Sequence, residues 1–232
     1  MNLYYTVPKQ EQGFFLKEIL KGKWNISDRL LTRLKKEQSI LVNGLFPSMH
    51  QIVVAGDQIQ VFLDREEDNS NIVPTFMSLN ILQENEWYLL LNKPAGIAIH
   101  PSCLHYETSL SNGVKYYFDQ IGLKKKIRPV NRLDKDTSGV VLFAKNEYLQ
   151  ECIIKQMEKR QVQKEYIAIV SGVIEQKTGT ICAPIGRKPN SIIERQVSGA
   201  GEKAVTHYQV IRLIRRKYGS KMPTRDRKNS SD

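Results

Sequence analysis

The run of residues 128–146, RPVNRLDKDTSGVVLFAKN, concentrates charged side chains that could do chemistry. Only Leu133 separates Arg132 from Asp134, and a Lys-Asp-Thr-Ser-Gly turn then leads into an apolar strand. Neighbouring cations favour the ionised form of a carboxylate, which can act as a nucleophile or as a base. An aspartate in such a place can equally cap a tight turn, and the run alone leaves both interpretations open.

Three further segments carry side chains of interest: NKPAGIAIHPS at 92–102, KEYIAIVSG at 164–172 and GEKAVTHYQV at 201–210. Lys93 and Lys164 could each contact a phosphate or simply face solvent. Tyr166 has a phenol ring that could take part in the chemistry or belong to an ordinary strand tyrosine. No cluster of metal-ligating residues surrounds His100 or His207 at a suitable spacing, so we expect structural roles for both and no metal.

The elements that must position these residues begin with a compact segment at 13–63, which predicts two short helices and a β-hairpin. Ser27 is a typical N-cap for DRLLTRLKKE, and SILVNG and GDQIQVFL alternate apolar and polar residues. Arg29, Arg33 and Lys36 recur at helical spacing on the second helix, as either an RNA-docking stripe or a solvated face. The whole pattern resembles the S4 RNA-binding domain, which implies RNA docking by this stripe.

A second domain follows residues 64–78, which are polar, interrupted by Pro74 and typical of a mobile linker. Beyond them LNILQ, WYLLLNKP, AGIAIHPS, VVLFAKN and KEYIAIVSG predict strands, and LQECIIKQMEKR predicts a helix. We therefore predict an α+β fold, with a small α/β S4-like domain at 13–63 and a catalytic domain at 79–211. The catalytic domain should have a largely antiparallel mixed β-sheet with flanking helices.

The composition favours a polyanionic partner such as RNA. Lysine and arginine number 35 against 24 acidic residues, which gives a net charge of +11 and a pI near 9.5. The first residues lack the features of a signal peptide, and no apolar run approaches the ~18 residues that span a bilayer. Three widely spaced cysteines indicate neither a disulfide framework nor a zinc site. We expect a cytoplasmic monomer without a membrane or metal partner.

The phrase RLD-x-x-TSG, with the three segments above in the same order, resembles the RluA-type RNA pseudouridine synthases. This resemblance implies isomerisation of uridine to pseudouridine in ribosomal or transfer RNA, without a cofactor or a metal. Asp134 takes the position of the family's essential aspartate, which attacks either the ribose C1′ or the base C6. Tyr166 matches a tyrosine that packs on the target base, and Arg132 matches an arginine that helps displace the target nucleotide from its stack.

The sequence departs from that family pattern at two places. Asn131 stands where histidine often precedes Arg-Leu-Asp, and both side chains form hydrogen bonds. After HYQVI the chain has a basic tail at 212–232 instead of a TGR-x-HQIR block, whose last arginine faces the catalytic aspartate. The resemblance thus predicts an incomplete sheet and an aspartate without its usual cationic partner, a place that Arg187 or Arg195 could take. A non-catalytic RNA-binding protein is the alternative to an active synthase.

Overall fold

The protein divides into two compact units, Met1–Lys164 and Glu165–Asp232. The structure is a computed structural model that describes residues 1–67, 69–102, 106–191 and 194–213. Its helices and antiparallel sheets form the α+β fold that the sequence predicts. Residues 214–232 of the predicted basic tail, together with Cys103, lie outside the described residues. The domain boundaries inferred from the sequence stay a prediction.

The first unit begins with a three-stranded antiparallel sheet and two helices. The strands follow the order β1-β3-β2 and are β1 (Asn2–Thr6), β2 (Ile40–Val42) and β3 (Gln58–Phe62). The helices are α1 (Leu16–Trp24) and α2 (Asp28–Lys36). Ser27 caps α2 by accepting a hydrogen bond from the backbone N–H of Leu30 at 3.1 Å, which confirms the predicted helix start. Strand β1 pairs along β3 and lies before residue 13, where the sequence placed the start of this domain.

The same unit contains a second antiparallel sheet with the order β4-β5-β6. Its strands are β4 (Ile81–Glu84), β5 (Tyr88–Lys93) and β6 (Gly139–Ala144), and its helices are α3 (Leu110–Gln120) and α4 (Glu147–Glu158). These strands and α4 confirm the sequence prediction. The segment AGIAIHPS, predicted as a strand, instead forms turns and irregular backbone at residues 95–102.

Helix α3 was not predicted, because its sequence LSNGVKYYFDQ contains residues that disfavour helices. Its start is fixed by a capping box in which Ser109 and Asn112 bond reciprocally. Gly113 is required by packing, since a Cβ atom there would lie 2.9 Å from the Cβ of Met77. Tertiary contacts therefore outweigh the poor local helix propensity.

Residues 64–67 are more firmly held than their composition predicts. Arg128 donates to Glu67 from both terminal guanidinium nitrogens at 2.6 Å, and both side chains are buried. Arg65 bridges Glu37 of the first domain to Glu67. This part of the predicted linker is consequently fixed by charge pairs rather than solvated.

In its described residues the second unit contains two antiparallel ribbons, in which β7 pairs with β10 and β8 with β9. The strands are β7 (Thr178–Cys182), β8 (Ile185–Arg187), β9 (Arg195–Val197) and β10 (Val205–Gln209). The segment KEYIAIVSG, predicted as a strand, has no strand pairing in the described structure, and Ile167 and Ile169 are exposed. A strand forms only where a neighbouring strand makes hydrogen bonds with its backbone. Alternation of apolar and polar residues does not show whether such a neighbour is present.

Removal of the Glu67 carboxylate is expected to destabilise the first unit. Glu67→Ala leaves the buried Arg128 guanidinium without its two-point acceptor, a loss of about 3–5 kcal/mol in unfolding free energy. Denaturant unfolding measures this loss. The adjacent Glu66→Ala is the matched control, because its pair with Lys124 is exposed and worth at most about 1 kcal/mol. Equal losses in the two variants would contradict a structural role for the buried pair.

The same pair gives the fold a dependence on pH. Burial raises the pKa of Glu67, but the hydrogen bonds and charges of Arg128 and Arg65 outweigh it, so the pKa is lowered overall. A carboxyl group with a lowered folded-state pKa adds stability above its unfolded pKa and loses it as the pH falls through the folded value. Unfolding free energy should therefore drop below about pH 4.3, and this drop should be smaller in Glu67→Ala.

Candidate active site

Strand β6 positions the Arg-Leu-Asp run by pairing with the residues before it. Val130 donates its backbone N–H to Leu142 at 2.8 Å. The side chain of Asn131 donates to the carbonyl of Val140 and accepts from the N–H of Leu142, both at 2.9 Å. The side-chain amide of Asn131 thus pairs with β6 at the position where the backbone hydrogen bonds between the two segments end. The residue that departs from the family pattern has a clear structural role here.

The next three residues alternate between the core and solvent. Leu133 packs against the buried cluster of the second sheet, whereas Arg132 and Asp134 are exposed. A tight turn follows, in which the N–H of Thr137 donates to the carbonyl of Asp134 at 3.1 Å. Gly139, at a φ of 136°, then allows the chain to enter β6 in a conformation that other residues rarely adopt. The Asp134 carboxylate is therefore presented to solvent on a loop whose two ends are fixed.

Lys93 fixes this loop from its buried side. Its side chain is fully buried, and its ammonium donates to the carbonyls of Pro94 at 2.9 Å, Ile97 at 2.8 Å and Lys135 at 2.9 Å. The N–H of Gly96 donates to the same Lys135 carbonyl at 2.9 Å. All three ammonium hydrogens thus join the turn after β5 to the residue that follows Asp134. This buried position contradicts the phosphate contact that the sequence suggested for Lys93.

Lys93 is also a cationic neighbour of Asp134 that the sequence analysis did not identify. Burial lowers the pKa of the Lys93 ammonium, while the charges of Asp136 and Asp134 act to raise it. These charges therefore lie within electrostatic reach of one another. The signal was present in the sequence, because Leu89, Leu91 and Lys93 share one face of β5 and the first two are buried.

His100 lies within electrostatic reach of Arg132. Partial burial has the largest effect on the pKa of this histidine and lowers it, and the charge of Arg132 lowers it further. The imidazole is therefore mostly neutral at neutral pH. His207 contacts Thr180 across β7 and β10, with 2.8 Å between its Nδ1 and the hydroxyl oxygen. Within the described ranges, no group of three or more His, Cys, Asp or Glu side chains could hold a metal ion.

The remaining predicted residues of the site lie elsewhere. Tyr166 belongs to the second unit and is 63% exposed, and Lys164 is an exposed residue at the end of the first unit. Arg187 and Arg195 face each other in the register of β8 and β9. The structure thus brings together Asp134, Arg132 and Lys93, whereas the three residues of the second unit are described only within that unit.

The predicted stripe on α2 is only partly available to a ligand. The side chain of Arg29 is 90% exposed, with its Nε 3.8 Å from the carboxylate of Glu147, and Lys36 is also exposed. Arg33 is only 20% exposed and forms ion pairs with Glu147 on α4 and with Glu37. The charge of Arg33 is therefore largely neutralised by ion pairs within the protein. Of the predicted stripe, only Arg29 and Lys36 are exposed.

Replacing Lys93 is expected to loosen the Asp134 loop. Lys93→Met keeps the buried aliphatic chain but removes the donor of the Pro94 and Ile97 carbonyls and leaves the Lys135 carbonyl with only the Gly96 N–H, a loss of roughly 3 kcal/mol or more in unfolding free energy. Amide hydrogen exchange should accelerate at Gly96 and Thr137. The matched control is Lys135→Met, whose side chain is exposed and should change stability by no more than about 0.5 kcal/mol. Unchanged exchange in Lys93→Met would refute this positioning role.

Within the described parts of the chain, no helix is long and apolar enough to cross a membrane.

Comparison with known proteins identifies the family. Residues 87–227 match the RNA pseudouridylate synthase family, and residues 3–59 match the RluD ribosomal pseudouridine synthase N-terminal domain. A weaker structural likeness links the chain to Human RNA Pseudouridylate Synthase Domain Containing 1. The TM-score is 0.46 at 21% identity, over 62% of this chain and 54% of the other.

Bacterial relatives align over most of the chain. An uncharacterized RNA pseudouridine synthase, YhcT of Bacillus subtilis, is 36% identical over 90% of this chain and 69% of its own length. Ribosomal large subunit pseudouridine synthase D of Neisseria meningitidis serogroup B is 32% identical over 89% of this chain and 55% of its own length. The chain thus spans between about half and two thirds of these relatives. Since the family match covers more than half of the chain, this protein belongs to the RNA pseudouridylate synthase family.

Proposed function

We propose that this protein isomerises uridine to pseudouridine in RNA, with Asp134 as the nucleophile. The observation that carries this proposal is an exposed carboxylate on a loop fixed by Lys93, Leu133 and Asn131. A nucleophile held on a rigid loop and open to solvent can meet a nucleotide that has left its helix. The alternation of residues 132–134 supports a shared site for Arg132 and Asp134.

The reaction conserves all atoms of the nucleotide. The N1–C1′ bond breaks, C5 becomes bonded to C1′, and the C5 hydrogen is removed while N1 gains a proton. The sum is an isomerisation that requires neither an oxidant nor a cofactor. The exposed Asp134 carboxylate is compatible with attack at C1′ or at C6, and in either case the aspartate must leave again as a carboxylate.

Two further side chains have roles in this proposal. Arg132 is exposed close to Asp134 in the chain, which supports a role in displacing the target nucleotide from its stack. Tyr166 presents an exposed phenol ring, which can stack on uracil and take part in proton transfer. Lys164, exposed two residues before it, remains a candidate for phosphate contact.

Ribosomal RNA of the large subunit is the substrate we favour over transfer RNA. The matched N-terminal domain is described as that of a ribosomal pseudouridine synthase, and several relatives are named ribosomal large subunit pseudouridine synthase D. The first domain would then bind RNA in an S4-like manner through Arg29 and Lys36, and a cytoplasmic monomer would meet this substrate directly. A non-catalytic RNA-binding protein is the weaker alternative, because the loop that presents Asp134 is intact.

Asp134→Asn is expected to abolish pseudouridine formation while RNA affinity stays within about twofold. The substitution removes the nucleophile and preserves side-chain size, so a residual rate below about one part in 10³ is expected. Pseudouridine is measured on RNA from cells that lack the modification. The matched control is Asp136→Asn, a neighbouring carboxylate that also lies near Lys93 and should retain turnover. Full turnover in Asp134→Asn would make this residue a turn residue only.

Arg29→Ala with Lys36→Ala should weaken RNA binding without changing stability. Each lost phosphate contact lowers the slope of log K against log salt by about 0.7–0.9. Arg33→Ala should instead lower the unfolding free energy, because it leaves the carboxylate of Glu147, only 15% exposed, with a single ion pair to the exposed Arg29 at 3.8 Å. A salt titration of binding, followed by unfolding of each variant, separates the two effects. An unchanged slope in the Arg29 and Lys36 double variant would reject RNA docking by α2.

A further inference from the structure

We infer that a cleft between α1 and α4 binds the phosphodiester backbone of the RNA substrate. The cleft is separate from the Asp134 loop and from the exposed residues of α2. It has a volume of about 290 Å³, and its lining includes Lys23, Trp24, Asn25, Tyr148, Lys155 and Lys159. This inference rests on the proposed function and adds a second RNA contact surface to it.

The cleft is lined by three lysines and by no carboxylate. Lys155 lies in the last turn of α4, Lys159 is the C-cap residue four positions later, and Lys23 comes from the last turn of α1. In the described part of the chain none of the three forms an ion pair with an acidic side chain. Their charges are consequently available to an external anion.

The existing contacts orient these lysines without neutralising them. Lys155 donates to the backbone carbonyl of Asn25 at 2.6 Å, and the ammonium of Lys23 lies 4.6 Å from the centre of the Tyr5 ring. The neighbouring carboxylate of Glu151 accepts a hydrogen bond from Ser27 at 2.8 Å and is not part of the lining. The cations are therefore partly ordered before an RNA phosphate arrives.

A larger cavity elsewhere in the first unit shows why this cleft is the better anion site. That cavity has about 500 Å³ and also contains three lysines, Lys115, Lys124 and Lys125. Each of them forms an ion pair, with Asp119, Glu66 and Asp64 respectively. Three paired lysines offer little net field, whereas three lysines without carboxylate partners attract phosphates.

The shape and the lining of the cleft favour RNA over a free small anion. Trp24 and Tyr148 are partly buried against the first core and line the cleft together with the lysines. A groove that contains both aromatic rings and cations is typical of surfaces that bind a nucleic acid strand. The cleft also joins the first domain to α4, so RNA bound there contacts both domains at once.

The test compares two triple variants in the Asp134→Asn background, where binding is measured without turnover. One is Lys23→Ala with Lys155→Ala and Lys159→Ala, and the control is Lys9→Ala with Lys124→Ala and Lys126→Ala. Both remove three positive charges. The probe is a fluorescently labelled transcript of large-subunit ribosomal RNA. The cleft variant should lower the slope of log K against log salt by about two and weaken binding about tenfold, and the control should change neither.

A third variant with arginine at all three cleft positions separates lost charge from disturbed folding. It should retain the parent slope, and the unfolding midpoints of all variants should be compared. An unchanged slope in the cleft variant, an equal effect of the control, or an arginine variant as weak as the alanine variant would each overturn the inference. If the parent chain forms no pseudouridine but the cleft variant still lowers the slope, only the proposed activity fails.

Discussion

The buried ammonium of Lys93 is the interaction on which the position of Asp134 depends. A cation removed from water is costly unless its donors are satisfied, and three backbone carbonyls satisfy them here. One acceptor belongs to the Asp134 loop and the others to the turn after β5. The two segments are distant in sequence, so neither can move without leaving a buried donor unpaired. The loop that carries Asp134 is therefore fixed by the buried charge of Lys93, which has a structural role.

Other positive charges are likewise used inside the protein. Arg128 is buried against Glu67, and Arg33 is paired with Glu147, so both serve to join segments distant in sequence. The net charge of +11 predicts a nucleic acid partner, but it does not say which cations remain free. Burial and pairing decide this: Arg29 and Lys36 are exposed, and the cleft lysines form no ion pair with an acidic side chain among the described residues. RNA docking is consequently better assigned from exposed and unpaired cations than from composition.

The sequence predicts well what is local, and less well what depends on distant partners. Alternation identified β5 and β6, and the N-cap Ser27 identified the start of α2, because these signals lie within a few residues. Helix α3 was missed, since its support comes from the close packing of Gly113 on Met77. The predicted strand at Tyr166 depends on a pairing partner that alternation cannot supply. At the site, the sequence located Asp134 and Arg132 but misread Lys93, whose burial requires the opposite loop.

The order of residues from Asn131 to Asp134 explains why a charged pair can stand on a rigid segment. Extended backbone sends successive side chains to opposite faces, so an apolar residue between two charged ones faces the core while they face solvent. Leu133 supplies that core contact, and Asn131 bonds the preceding position to β6. A polar residue at 133 would therefore release Arg132 and Asp134 together, although neither charge had been changed. The chemistry of the loop depends on its apolar residue as much as on its aspartate.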